Sequence, residues 1–133
     1  MARILVIDDV RQIRTYLRLL LEEAGHHVIE LANGAQGLGS YEDWAADLIF
    51  CDLFMPVKDG LATIRGLREK WSGVKIIAMS GGNPRTGKNL LPEAAKLGAC
   101  LTLAKPFTRE QVLQSVAQVL EQSLDQNEIP SNG

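Results

Sequence analysis

Ile4-Leu5-Val6-Ile7-Asp8-Asp9 is a run of four aliphatic residues stopped by two carboxylates, and the pattern of residues after it decides the fold. Beyond it, Ile13, Leu17, Leu20, Leu21 and Ala24 recur at the spacing of one helix face, while Arg11, Arg14, Arg18 and Glu22 fall away from that face. Gly25 supplies a C-terminal stop, and Val28 to Leu31 starts a second, nearly apolar run. Strand, amphipathic helix and strand in that order make a parallel unit, because two parallel strands need a long crossover between them.

The same alternation continues outward. Three further runs, Leu48 to Cys51, Val74 to Met79 and Cys100 to Ala104, are apolar almost throughout, as strands covered on both faces must be. Between them the spacing predicts a helix over Ala35 to Ala45, weakened by Gly37 and Gly39, and another marked by Leu61, Ile64, Leu67 and Trp71. Pro92 and Gly98 bracket a short helix, Leu91 to Leu97. Thr108, three residues before Gln111, forms a capping box for a last helix that turns Leu113, Val116, Ala117, Leu120 and Leu124 inward. The fold class is therefore α/β: a five-stranded parallel sheet with helices on both faces. Residues 1–125 form the domain, and the polar stretch 126–133, ending Pro-Ser-Asn-Gly, reads as a disordered tail.

Composition narrows the function. At 133 residues, with 46% hydrophobic and 23% charged residues, the chain fits one globular domain that needs no metal or disulfide to fold. A net charge of -2 and the lack of a basic run argue against direct nucleic-acid binding. No uncharged apolar stretch is long enough for a membrane span or a secretory leader. Cys51 and Cys100 sit inside apolar runs, unlike a disulfide framework, so a reducing, cytoplasmic setting is expected. On neighbouring-but-one strands they would lie roughly 10 Å apart, beyond disulfide reach. His26 and His27 stand at the handover from helix to strand with no ligand partner at useful spacing.

In an open parallel sheet ligands bind beyond the carboxyl ends of the strands. Here those ends carry Asp8-Asp9, Asp52, Ser80 and Lys105. Each has an ordinary alternative role, as a turn, a cap or a solvated terminator, but their joint occurrence at one edge does not. Two carboxylates about 5 Å apart repel by roughly 3 kcal/mol at an effective dielectric near 20, so the group needs cations. Lys105 supplies part, and Mg²⁺, a hard ion that takes carboxylates, water and phosphoryl oxygens, suits the rest. Carboxylate, metal, lysine and hydroxyl together suit phosphoryl transfer, with an acyl phosphate as a reversible product.

The stretches Ile-Leu-Val-Ile-Asp8-Asp9, Leu-Ile-Phe-Cys-Asp52-Leu-Phe-Met-Pro56-Val-Lys-Asp59-Gly60, Ile-Ile-Ala-Met-Ser80-Gly81 and Lys105-Pro106-Phe107 together resemble the receiver domain of bacterial two-component response regulators, over about Arg3 to Leu124. The resemblance implies a flavodoxin-like strand order 2-1-3-4-5. It implies Asp52 as phosphoacceptor, charged from a phosphohistidine on a sensor histidine kinase or histidine phosphotransfer protein. Asp8, Asp9, Asp52 and the Phe54 main-chain carbonyl would serve Mg²⁺, Asp8 mainly through water. Lys105 would contact the phosphoryl group, Ser80 would move toward it, and Lys105-Pro106 would be a cis peptide. The chain resembles the stand-alone members, which signal by binding a downstream protein and are reset by a phosphatase.

Three features depart from that pattern. Thr102 stands where the family carries its switch aromatic, and the loop from Gly81 to Asn89 is long and rich in glycine and basic residues. Phe54 and Gly82 occupy the positions that tune loss of the phosphoryl group, and neither side chain can hold a water. Two rival readings remain: a degenerate receiver that binds partners without phosphate, and a nucleotide-binding protein using Gly82-Asn-Pro-Arg-Thr-Gly87-Lys88-Asn89 as an incomplete P-loop. The complete acidic set argues against the first. Asn89, in place of a metal-binding hydroxyl, argues against the second.

Overall fold

The five apolar runs form β1 (Arg3–Ile7), β2 (His27–Leu31), β3 (Leu48–Asp52), β4 (Ile76–Ser80) and β5 (Leu101–Ala104). Between and after them lie α1 (Arg11–Glu23), α2 (Gly34–Asp43), α3 (Gly60–Lys70), α4 (Leu91–Lys96) and α5 (Arg109–Asn132). The computed structural model describes residues 2–55, 59–71, 73–81 and 89–132. All strand pairs are parallel and the sheet order is β2-β1-β3-β4-β5, the order implied by the resemblance.

Successive strand residues alternate between two cores, which is why the strands read as unbroken apolar runs. Ile4, Val6, Leu48, Phe50, Ile77, Met79 and Leu103 pack with Leu17, Leu20 and Leu21 of α1 and with Val112, Val116 and Val119 of α5. Leu5, Ile7, Ile49, Cys51, Ile76 and Ala78 face the other way, onto Ile64 and Leu67 of α3 and Ala94 of α4. The central strands β3 and β4 are buried along their whole length. Trp44 and Trp71 pack at the margin of the second core.

Local signals explain most element ends. Gly25 and Gly98 adopt φ of 98° and 106°, the left-handed conformation that closes a helix, after α1 and α4. Thr108 and Gln111 exchange reciprocal hydrogen bonds of 2.8 and 3.1 Å, the expected capping box. At the start of α2, Asn33 Oδ1 accepts from the Gln36 amide, and Gln36 Oε1 accepts from the Ala32 amide, one residue before the position a reciprocal capping box would use. These bonds offset the glycines that weaken this helix, whose observed bounds start one residue earlier than expected and stop two residues sooner.

Some expectations need correction. Ala24 ends α1 as an exposed C-cap residue and does not join the buried face. In α5 the buried stripe is Val112, Val116 and Val119, with Leu113 and Leu120 half-buried and Ala117 exposed, so the inward face is rotated from the one the leucines suggested. The bounds of α5 run to Asn132 and so take in 126–132, the stretch expected to be a tail.

Both cysteines are free. Cys51 pairs in register with Ala78 of β4, while the Cys100 amide bonds the Ile76 carbonyl on the far side of the same strand. They face opposite cores, which separates the thiols further than strand spacing alone. His26 accepts from the Ala2 amide at 3.1 Å, just before β1 and β2 begin.

Candidate functional site

Because β1 and β3 are neighbours with Ile7 opposite Cys51, the next residue of each strand, Asp8 and Asp52, emerges at the same edge beside the other. β4 lies next to β3 and ends in Ser80, and the chain leaving β5 supplies Lys105, whose amide bonds the Ser80 carbonyl at 2.9 Å. Four strands thus deliver the residues predicted from sequence to one corner.

Asp8 is fully buried and Asp52 and Ser80 nearly so, at 4% and 2% exposure, whereas Asp9 is exposed. Carboxylate oxygens of Asp8, Asp9 and Asp52 all lie within 4.8 Å of one another. Lys105 Nζ donates to Asp8 Oδ2 at 2.8 Å and to Asp52 Oδ1 at 3.0 Å, and so spans the two buried carboxylates. The Lys105-Pro106 peptide is cis, as the resemblance implied. Asp8 also does the turn work open to any Asp after a strand: its Oδ1 accepts from the Val10 amide at 2.8 Å.

One positive charge shared between two carboxylates leaves the corner short of cation. Burial raises the Asp52 carboxyl from the usual carboxylate range to about 6; Asp8 pushes the same way, and Lys105 only partly opposes them. For Lys105, burial works to lower the ammonium, but its bonds and attraction to Asp8 and Asp52 outweigh burial and hold its pKa above the ordinary lysine value. The donor set, three carboxylates within 4.8 Å of one another with one exposed member, fits a hard divalent ion.

The floor of the site depends on a glycine. Gly60 opens α3, and its amide bonds the Leu53 carbonyl at 3.0 Å. A Cβ at Gly60 would overlap the Asp52 carbonyl oxygen and Leu53 Cα, both backbone atoms that cannot swing aside. Asp59 before it caps α3, accepting from the Ala62 amide at 2.8 Å. The Asp59-Gly60 turn therefore seats α3 directly behind Asp52. Phe54 is half-buried and packs against the second core, and Thr102 is exposed on β5. Gly82 and all but the ends of the Gly81 to Asn89 loop lie outside the described residues.

Two participants escaped the sequence reading. Arg14, expected on the solvent face of α1, is only 16% exposed; its Nη1 donates to the Asp8 carbonyl at 2.7 Å and its Nε pairs with Glu30 at 3.5 Å. Glu30, the one charge in the β2 run, also takes Arg18 Nη1 at 2.8 Å. A charged residue within an otherwise apolar strand was the available signal.

Comparison with known proteins agrees with this geometry. Residues 4–117 match the family model of the response regulator receiver domain, and the chain belongs to that family, the signalling module of two-component systems. It is 33% identical over 121 residues to protein CcdB of Bacillus subtilis, covering 90% of this chain and 98% of that one. It is 29% identical over 118 residues to the chemotaxis protein CheY of Halobacterium salinarum, covering 89% and 96%. Among solved structures it resembles NtrX from Brucella abortus with a TM-score of 0.88 and 25% identity, covering 99% of this chain and 29% of that one. Receiver domains are signalling domains and not classical enzymes. Among the described residues no helix is long and apolar enough to cross a membrane.

Proposed function

We propose that this receiver domain takes a phosphoryl group onto Asp52 from a phosphohistidine of a sensor kinase or phosphotransfer protein. The observation that carries the reading is the Lys105 ammonium bridging Asp8 and Asp52 at 2.8 and 3.0 Å beside the exposed carboxylate of Asp9. In the reaction a carboxylate oxygen of Asp52 forms a bond to phosphorus while the nitrogen–phosphorus bond of the donor breaks. The imidazole nitrogen keeps the bonding electron pair and remains as neutral histidine after proton exchange. Asp52 is rigidly presented at the end of a fully buried strand, so little orientational freedom is lost on attack.

Mg²⁺ would be held by the carboxylates of Asp9 and Asp52 and by the Phe54 carbonyl, with Asp8 serving mainly through water, and would supply neutralisation of charge on the transferring phosphoryl oxygens. Lys105 is placed to exchange part of its hold on the carboxylates for a phosphoryl oxygen. Ser80, at the end of β4 beside Asp52, is placed to turn its hydroxyl to another. An apolar groove of about 380 Å³, lined by Gln12, Ile13, Tyr16, Lys105, Pro106 and Phe107, opens beside Lys105. Tyr16 and Phe107 stack across it at 6.4 Å. A cytoplasmic setting, a downstream protein target and resetting by a phosphatase complete the proposal.

The test is exposure of the domain to acetyl phosphate with Mg²⁺ and intact-mass measurement. One added phosphoryl group that disappears in Asp52→Asn and in excess chelator is expected. Labelling of Asp52→Asn to the same extent would overturn the assignment, and no labelling of the wild type would favour the phosphate-independent binding module.

A further inference from the structure

The acidic corner hangs on a peptide plane, and that plane is held from outside the site. Asp8 has its amide bonded to the Leu31 carbonyl at 3.1 Å and its side chain fixed by Val10 and Lys105. Its carbonyl oxygen is held by a different group, Arg14 Nη1 at 2.7 Å. The Asp8 carbonyl and the Asp9 amide belong to one planar unit, so a bond that stops the carbonyl from rocking also sets the direction in which Asp9 leaves the chain. Asp9 is the exposed member of the carboxylate trio, so its position depends more on backbone than that of its buried partners. Arg14 is held in turn. Glu30 on β2 receives Arg14 Nε on one oxygen and Arg18 Nη1 on the other, at 3.5 and 2.8 Å, with the Glu30 side chain 20% exposed.

We infer that Arg14, anchored by Glu30, is a positioning residue that orients the Asp8–Asp9 peptide and so presents the Asp9 carboxylate for a divalent cation. The assignment rests on the proposal that Asp9 is a ligand for Mg²⁺. It runs against simple electrostatics. A guanidinium close to the acidic corner repels a dication, so as a charge alone Arg14 weakens metal binding; as a strut for the Asp8 carbonyl it strengthens it. The two roles predict opposite signs on removal. Lysine is no substitute, because one ammonium on a flexible stem cannot serve the carbonyl and the Glu30 carboxylate in the fixed fork that guanidinium provides.

The experiment is calorimetric titration of the unphosphorylated domain with Mg²⁺ alone, for wild type, Arg14→Gln, Arg14→Lys, Glu30→Gln and, as a ligand control, Asp9→Asn. Partners that orient metal ligands typically contribute about tenfold to a hundredfold in affinity, so Arg14→Gln and Arg14→Lys should both weaken binding by roughly tenfold or more. Glu30→Gln, which leaves Arg14 in place but loosens its anchor, should weaken it less. The urea midpoint of each variant is measured alongside. Unchanged Mg²⁺ affinity with a lowered midpoint would mean that Arg14 only supports the fold, and tighter binding in Arg14→Gln would mean that it acts only as a charge; either result overturns the inference. Failure of the metal proposal itself looks different: the wild type and Asp9→Asn would then titrate alike. Should Arg14→Gln not fold, Arg14→Lys, which keeps the charge and loses the fork, should still weaken Mg²⁺ binding, and unchanged affinity there would overturn the inference.

Discussion

Neutralising Asp52 should stabilise the metal-free domain. In Asp52→Asn the amide oxygen can still accept from Lys105, whose second bond, to Asp8 at 2.8 Å, stays intact. What disappears is the charge that burial and Asp8 oppose. With the Asp52 carboxyl raised to about 6, keeping it ionised at neutral pH costs about 3 kcal/mol at 1.36 kcal/mol per pKa unit. The amide still gives up some hydration, so the net gain is set at about 1–3 kcal/mol. At a urea slope near 2 kcal/mol/M that shifts the midpoint upward by about 1 M.

The sign carries a pH signature. A folded-state pKa raised above the unfolded one means that the native protein binds the proton more tightly, so the wild type loses stability as pH rises from about 4 to about 6 and levels off beyond. The assay is urea denaturation of wild type and Asp52→Asn in excess chelator from pH 4 to 8. The two should coincide near pH 4 and separate by pH 7. Saturating Mg²⁺ should stabilise the wild type and narrow the gap, since a cation that binds only the native state adds stability. A variant less stable than the wild type at pH 7, or a gap that does not depend on pH, would refute the reasoning.

Three further outcomes are expected. Gly60→Ala should lower the urea midpoint by an amount equivalent to about 1–3 kcal/mol, because its methyl meets backbone at Asp52 and Leu53, whereas Gly39→Ala, with open space around it in α2, should raise stability by up to about 1 kcal/mol. In native protein without reductant Cys51 should resist alkylation, since it is buried and burial raises its thiol pKa, while unfolding should release both thiols for quantitative labelling. The phosphorylated wild type should lose its phosphoryl group slowly and Phe54→Asn severalfold faster, because an amide near the site can orient the attacking water and a phenyl ring cannot; equal decay rates, followed by mass spectrometry, would mean that Phe54 only packs.

Much of this protein is legible along the chain. Apolar runs ending in Asp8-Asp9, Asp52, Ser80 and Lys105 signal both a sheet covered on two faces and the edge where chemistry gathers, because strand period and strand ends are local properties. The Thr108 capping box and the stops at Gly25 and Gly98 are equally local, and the structure keeps all three. Side-chain direction on the helices is less so. Ala117 in α5 and Arg14 in α1 each satisfy a sequence pattern that the packing then alters, since which part of a helix faces the core depends on how the helix lies on the sheet.

Strand order decides the rest. Asp8 and Asp52 are 44 positions apart and Lys105 lies a further 53 along, yet parallel pairing of β1 with β3 and of β4 with β5 brings a lysine between two buried carboxylates. The residues and their chemistry are written in the chain. The burial and the neighbouring Asp8 charge that raise Asp52, the collision that demands Gly60, and the route from Glu30 through Arg14 to the Asp8 carbonyl exist only once strands distant in sequence lie about 4.8 Å apart, because desolvation, Coulomb and steric forces act over distances in space and not along the chain.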